Sequence, residues 1–266
     1  MNSGETNSST DRQFRIADGQ GGHNPGAPIS HSQTTGRTLV ALSTYNEREN
    51  LPSLVDEILE VLPQADVLVV DDNSPDGTGR WCDQRAASEP RLRCLHRPAK
   101  QGLGSAIVAA AQFAIDRGYD VLVTMDADWS HDPHDLPALL RALAEADVAI
   151  GSRYCAGGAI EGWPWHRRLL SLVLNRLSRL LLRVPVLDSS DSYRAYRVAK
   201  LRTIELQKIQ ASGYAFLEEI LWHLHAGGAT FAELPITFHQ RRAGRSKINL
   251  AEAAGKLGTL LRLACR

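Results

Sequence analysis

Two carboxylates one residue apart, Asp126 and Asp128, follow directly on an apolar run, Val121–Thr124, and precede the helix- or loop-opening segment Ser130-His131-Asp132-Pro133. Carboxylates spaced this way at the end of a strand can both reach one cation. Hard divalent ions such as Mg2+ or Mn2+ take oxygen ligands and keep positions open for phosphate oxygens. A cation held there can neutralise a diphosphate as it leaves. The same tripeptide also suits a plain solvated turn, so other residues must decide. Acidic residues recur at the ends of apolar runs, at Glu47 and Asp72. Four cations, Arg241, Arg242, Arg245 and Lys247, cluster around Gly244. They read either as a solvated basic face or as a flexible phosphate-gripping loop, since glycine permits a lid and guanidinium forks match phosphate oxygens.

The elements that must position these groups follow from periodicity. Thr38–Ser43 and Asp66–Val70 are short runs rich in β-branched and apolar residues, as are Leu92–His96, Val121–Thr124 and Val148–Ile150, and they read as strands. Between the first two, Leu51, Leu54, Val55, Ile58, Leu59 and Leu62 keep helical spacing, with Pro52 in the first turn and Pro63 at the end. Further helices are expected around 80–88, 105–117 and 136–145. The alternation of strand and helix predicts an α/β fold with a mostly parallel central sheet and helices on both faces. Its polar loops then gather at the strands' carboxyl edge, where ligands bind in open sheets. The turn Lys100-Gln101-Gly102-Leu103-Gly104 lacks the nucleotide fingerprints and reads from its own residues as a helix start.

Composition limits the alternatives. The 266 residues carry 30 Lys plus Arg against 30 Asp plus Glu, so no global field favours nucleic acid. Cys82, Cys94, Cys155 and Cys265 form no CxxC pair and no zinc spacing, which weakly favours a reducing, cytoplasmic-side location. Residues 1–36 are polar and contain no apolar run, and read as a disordered tail ahead of a domain over 37–248. No uninterrupted apolar stretch reaches the roughly 18 residues of a membrane span. The segment 249–266 reads as a C-terminal helix that does not cross a membrane.

Six motifs, taken together and in order, carry a resemblance: TYNERENL (44–51), VVDDNSPDGT (69–78), KQGLGSA (100–106), MDADWSHDP (125–133), GSRY (151–154) and PITFHQRRAGRSK (235–247). The chain resembles family 2 glycosyltransferases of the GT-A (nucleotide-diphospho-sugar transferase) fold, and within them the dolichyl- or polyprenyl-phosphate mannosyltransferases. The resemblance implies GDP-mannose as donor, a polyprenyl phosphate as acceptor, Mg2+ or Mn2+ as cofactor, and inverting transfer at a membrane surface. It implies that Tyr45, Glu47, Val70 and Asp72 hold the base and ribose, with Lys100 and Gly102 beside them. Asp126 and Asp128 would carry the metal, with Ala127 against the nucleotide. Arg241 and Lys247 would close on the diphosphate, and Arg153, Arg167 and Ser171 would take the acceptor phosphate. It further implies a peripheral protein at the cytoplasmic face of a membrane, with a membrane-embedded partner as an option. The alternatives are a UDP-sugar donor of glucose or an aminosugar, and a scaffold that binds nucleotide without turnover.

The chain departs from the family at Asp191-Ser192-Tyr193-Arg194, where Ser-Gly-Phe-Arg is usual. An added charge and a lost glycine there bear on the sugar. His131 and His134 lie near the acidic pair but read as solvated loop residues. Over 167–183 one helical face carries Leu169, Leu170, Val173, Leu174, Leu177, Leu180 and Leu181, flanked by Arg167, Arg168, Arg176, Arg179 and Arg183. Such a helix suits a membrane interface, with core packing as the other reading.

Overall fold

The structure, a computed structural model, describes residues 15–16, 36–209, 215–241 and 258–264. In chain order the elements that matter here are β1 (Arg15–Ile16), β2 (Thr38–Thr44), α1 (Leu51–Val61), β3 (Asp66–Asp71), α2 (Thr78–Ala86), β4 (Leu92–His96), α3 (Leu103–Asp116), β5 (Val121–Asp126), α4 (Leu136–Ala142), β6 (Val148–Ser152) and β7 (Ala159–Ile160). Then come α5 (Trp165–Leu182), β8 (Arg194–Arg197), α6 (Val198–Leu201), α7 (Phe216–Ala226), β9 (Phe231–Pro235) and β10 (Thr237–Phe238), with a last helical stretch, α8, over 258–264.

Eight strands form one sheet in the order β1-β9-β6-β8-β5-β2-β3-β4. The pairs β2·β3, β2·β5 and β3·β4 are parallel, as the alternating pattern predicts, and so is β6·β9, whose second strand the sequence reading did not include. The short strand β8 inserts antiparallel between β5 and β6. Within the stretch expected to be a tail, Arg15–Ile16 pairs antiparallel with β9; the rest of 1–35 lies outside the described residues.

The period-2 pleat sorts each strand's side chains between two cores. Leu39 and Ala41 of β2, Leu68 and Val70 of β3 and Leu122 of β5 pack under α3 and α7. Val40, Leu42, Val67, Val69, Val123 and Met125 pack under α1 and α4 on the other face. Leu260 and Leu263 of α8 join the first core, and Arg262 pairs with Glu219 at 3.2 Å.

α5 divides its leucines. Leu177 and Leu181 pack against the core, whereas Trp165, Leu169, Leu170, Val173 and Leu180 are exposed. The inner side is fixed by Asn175, whose Oδ1 accepts from the Ser189 N–H at 2.9 Å. Among the described residues no helix is long and apolar enough to cross a membrane.

Candidate active site

Parallel register sets the site. Across the central strands Ser43 lies opposite Asp126, Thr44 opposite Asp71, and Asp71 opposite His96. The loops leaving β2, β3 and β5 therefore share one edge. Among the described residues, three of the four non-glycine residues with positive φ, Asn46, Asn73 and Trp129, sit in these loops. Left-handed backbone in a non-glycine residue is held only where the surroundings fix it. Here the first two loops interlock: the Asn46, Glu47 and Arg48 N–H groups donate to Ser74 Oγ, Thr78 Oγ1 and Asp76 Oδ2 at 3.0–3.1 Å.

The residues expected to hold a nucleoside come together. Asp72 Oδ2 accepts from the Gln101 and Gly102 N–H groups at 3.0 and 2.9 Å, and Oδ1 faces Arg97 at 3.1 Å. Gly102 has φ +88°, a conformation that favours glycine, and caps α3, so the turn is the helix start that its residues suggest. Lys100 Nζ lies 4.2 Å from the centroid of the Tyr45 ring. Glu47 Oε2 accepts from Asn50 Nδ2 at 2.8 Å. Val70 is wholly buried in the core beneath them.

The acidic pair is held by hydroxyls. Asp128 Oδ1 accepts from the Ser130 N–H at 3.0 Å and from Ser130 Oγ, while Oδ2 faces Arg241 Nη2 at 3.0 Å. Asp126 Oδ1 accepts from Ser192 Oγ at 2.7 Å. Burial pushes the Asp126 carboxyl up; His131 opposes this and Asp128 adds to it. Ala127 is buried between the two. Two carboxylates, one of them short of counter-charge, form an all-oxygen donor set suited to a hard divalent cation with phosphate oxygens completing its shell. Arg241 is delivered by β10. His239 just before it donates its N–H to the Ser130 carbonyl at 3.0 Å, tying that strand to the acidic loop. Lys247, with Arg242, Gly244 and Arg245, lies outside the described residues.

His131 differs from its sequence reading as a solvated loop residue. It is buried, its Nδ1 accepts from the Asp126 N–H at 3.1 Å, and its Nε2 faces Asp191 Oδ1 at 2.9 Å. That pairing accounts for the unusual Asp191. Burial alone would raise the Asp191 carboxyl, but His131 and Arg153 together hold it at about 2. Ser192, in place of a glycine, supplies the hydroxyl on Asp126. The sequence flagged the departure but not its partner, which lies 60 positions away.

The three residues expected at an acceptor phosphate also converge, with unequal burial. Arg153 is buried, with Nε and Nη2 both 2.7 Å from the Asp188 carboxylate, Nε 3.1 Å from Asp191 Oδ2 and Nη2 2.8 Å from Ser190 Oγ. Its guanidinium lies 5.5 Å from the Trp163 ring centroid, and that of Arg167 lies 3.8 Å from the same ring. Ser171 lies beside the Tyr154 hydroxyl. Trp163, Tyr154 and Phe238 thus wall this side; Tyr154 and Phe238 fall within the sequence motifs but were given no role there, and Trp163 lies outside all six. Arg153 is spent on internal carboxylates; Arg167, half-buried on Trp163, is the arginine of this group that faces outward.

Comparison with known proteins agrees with this geometry. Residues 39–205 match the model of glycosyl transferase family 2. The chain is 47% identical to polyprenol monophosphomannose synthase of Mycolicibacterium smegmatis over 84% of its own length and 86% of that protein's. It is 45% identical to undecaprenyl-phosphate mannosyltransferase of Micrococcus luteus, over 80% and 88%. Among solved structures it superposes on glucosyl-3-phosphoglycerate synthase from Mycobacterium tuberculosis, in complex with Mn2+ and UDP-glucose, with TM-score 0.64 and 19% identity, over 91% and 85% of the two chains. That likeness is one of fold, the GT-A fold. The chain belongs to glycosyl transferase family 2 and is a glycosyltransferase.

Proposed function

We propose that the protein transfers mannose from GDP-mannose to a polyprenyl phosphate with inversion, at the cytoplasmic face of a membrane. The observation that carries this is the pairing of an acidic, arginine-capped diphosphate site with relatives at 45–47% identity named as polyprenyl-phosphate mannose enzymes. In this reading Tyr45, Glu47, Val70, Asp72, Lys100 and Gly102 hold the nucleoside. Asp126 and Asp128, with Ala127 between them, hold Mg2+ or Mn2+ and the diphosphate. Arg241 and Lys247 close over it. A divalent cation, when bound, supplies counter-charge to the leaving group.

The second pKa of a phosphate monoester is ~6, so the attacking acceptor oxygen is ionised near neutral pH and needs no strong base. That fits His131, which is buried and committed to Asp191. Arg167 and Ser171 meet the acceptor phosphate directly. Arg153 contributes by anchoring the wall on which Trp163 and Arg167 stack. The expected result is transfer of label from GDP-mannose, and not from UDP-glucose or a UDP-aminosugar, to an extractable polyprenyl phosphate. The reverse donor preference would replace the mannose reading with the UDP-sugar one.

The exposed row of α5 is the surface we assign to the lipid interface. Trp165 and Leu180 are each 75% exposed, and Arg168, Arg176 and Arg179 are exposed beside them. Each basic residue near an anionic surface is worth ~1 kcal/mol and is screened by salt. Because Leu177 and Leu181 belong to the core, the informative change is Leu169→Glu with Val173→Glu. This variant should lose about tenfold or more of its binding to anionic vesicles, since each apolar side chain contributes roughly 1.5–3 kcal/mol on burial. It should keep turnover of a short-chain, water-soluble acceptor. A folded double variant that still sediments with vesicles would remove α5 from the interface.

A further inference from the structure

We propose that Cys94 and His96, with Asp83 from the facing helix, form a binding site for a borderline-soft divalent cation of the Zn2+ class at the outer edge of the sheet. The group is distinct from the acidic pair. β4 is the last strand of the sheet, and its Cys94 and His96, two residues apart, point to one face. α2 runs back over that face and carries Cys82 and Asp83. One ligand atom each from Asp83, Cys94 and His96 lies within 4.8 Å of the others, the only such His/Cys/Asp/Glu grouping among the described residues.

The local geometry suits metal ligation more closely than proximity alone requires. Cys94 Sγ and His96 Nδ1 are 3.9 Å apart. A tetrahedral Zn2+ with bonds of about 2.3 Å to sulfur and 2.0–2.1 Å to nitrogen separates those atoms by about 3.6 Å. His96 Nε2 lies 2.8 Å from Asp83 Oδ1. A carboxylate on the far nitrogen is the usual device for fixing a ligating imidazole, because it holds the proton there and leaves the other nitrogen's lone pair for the metal. Cys82 is not part of this group, its thiol donating to the Arg93 carbonyl at 3.8 Å.

Gly79 completes the setting. A Cβ at that position would stand 3.0 Å from His96 Cε1 and 3.1 Å from Nδ1, so the ring packs closely against the helix backbone. Asp83 and His96 are exposed, which leaves the remaining coordination positions to water. Sulfur and imidazole together disfavour Mg2+ and favour Zn2+, so the two sites would sort cations by hardness. The residues carry no zinc spacing in sequence; the fold assembles them by laying α2 across β4.

The test uses the full chain, reduced and stripped of metal, titrated with Co2+ as a spectroscopic stand-in for Zn2+. One equivalent should bind with thiolate-to-metal charge-transfer absorption, should be displaced by Zn2+, and should resist Mg2+. Asp126→Ala should leave that band in place. Cys94→Ser and His96→Gln should each weaken binding by about 100-fold or more, and Asp83→Asn, which disturbs only the orienting bond, by about 10- to 100-fold. Circular dichroism checks that each variant is folded, and the two independent ligand variants guard against loss of one to misfolding. Absence of the band in the folded wild-type protein, an unchanged band in Cys94→Ser, or a loss of two mass units showing a Cys82–Cys94 disulfide in place of metal uptake would each overturn the proposal.

Discussion

Asp128→Ala is expected to lower the rate of sugar transfer by about 10²-fold or more, the usual cost of removing a preorganised electrostatic group from a reacting centre. The carboxylate is almost fully buried, held on one oxygen by the N–H and hydroxyl of Ser130 and capped on the other by Arg241 at 3.0 Å. Its truncation does two things at once. In the proposed reading it removes half of the oxygen donor set for a divalent cation, and it releases Arg241 from the pairing that would aim it at the diphosphate. Asp128→Asn separates these effects. The amide keeps an oxygen for Ser130 but not the charge, so a metal or ion-pair role predicts a loss close to that of alanine. Single-turnover rates at saturating donor, with and without EDTA, measure both variants. Full activity in Asp128→Ala, with EDTA equally harmless, would remove the acidic pair from the chemistry.

Much of this site was legible before any coordinates because its parts are local. A short β-branched run such as Val121–Thr124 reads as a buried strand, and parallel register then sets Asp126 opposite Ser43 and Asp71 opposite Thr44. The family motifs supplied the nucleoside and acceptor assignments, and the fold does bring those residues into two groups. What stayed hidden depends on pairing over long separations. β8 enters the sheet antiparallel between β5 and β6, a partnership that no periodicity in Arg194–Arg197 announces. His131 looks like a loop residue until Asp191 is placed against it. The leucines of α5 share helical spacing, so only the packing of Asn175 and Leu177 tells the core side from the exposed one.

Arg153→Ala tests the largest revision that the structure makes to the sequence reading. As a phosphate ligand alone, Arg153 would change only the apparent KM for the lipid acceptor. The structure gives it a prior commitment, with its side chain 5% exposed and the Asp188 and Asp191 side chains 0% and 1%. Truncation would leave two carboxylates without their shared cation in a site that water does not reach. Breaking a buried pair in this way costs about 3–5 kcal/mol, against a whole-domain stability of roughly 5–15 kcal/mol. The midpoint of thermal unfolding should fall by on the order of 10 °C, with acceptor and donor kinetics declining together. Arg167→Ala should instead raise the acceptor KM at nearly unchanged stability, since its guanidinium stacks on Trp163 at the surface of the same wall. Acid supplies an independent reading. Asp191 is held at about 2 in the folded protein, below the ordinary aspartate value near ~3.9. Its contribution is therefore complete above that ordinary value and is lost as pH falls through about 2. In Arg153→Ala one of the two cations that depress it is gone, so the variant should show a shallower loss of stability over that acid range. A variant with native thermal stability and a selective rise in acceptor KM would return Arg153 to the role of direct phosphate ligand.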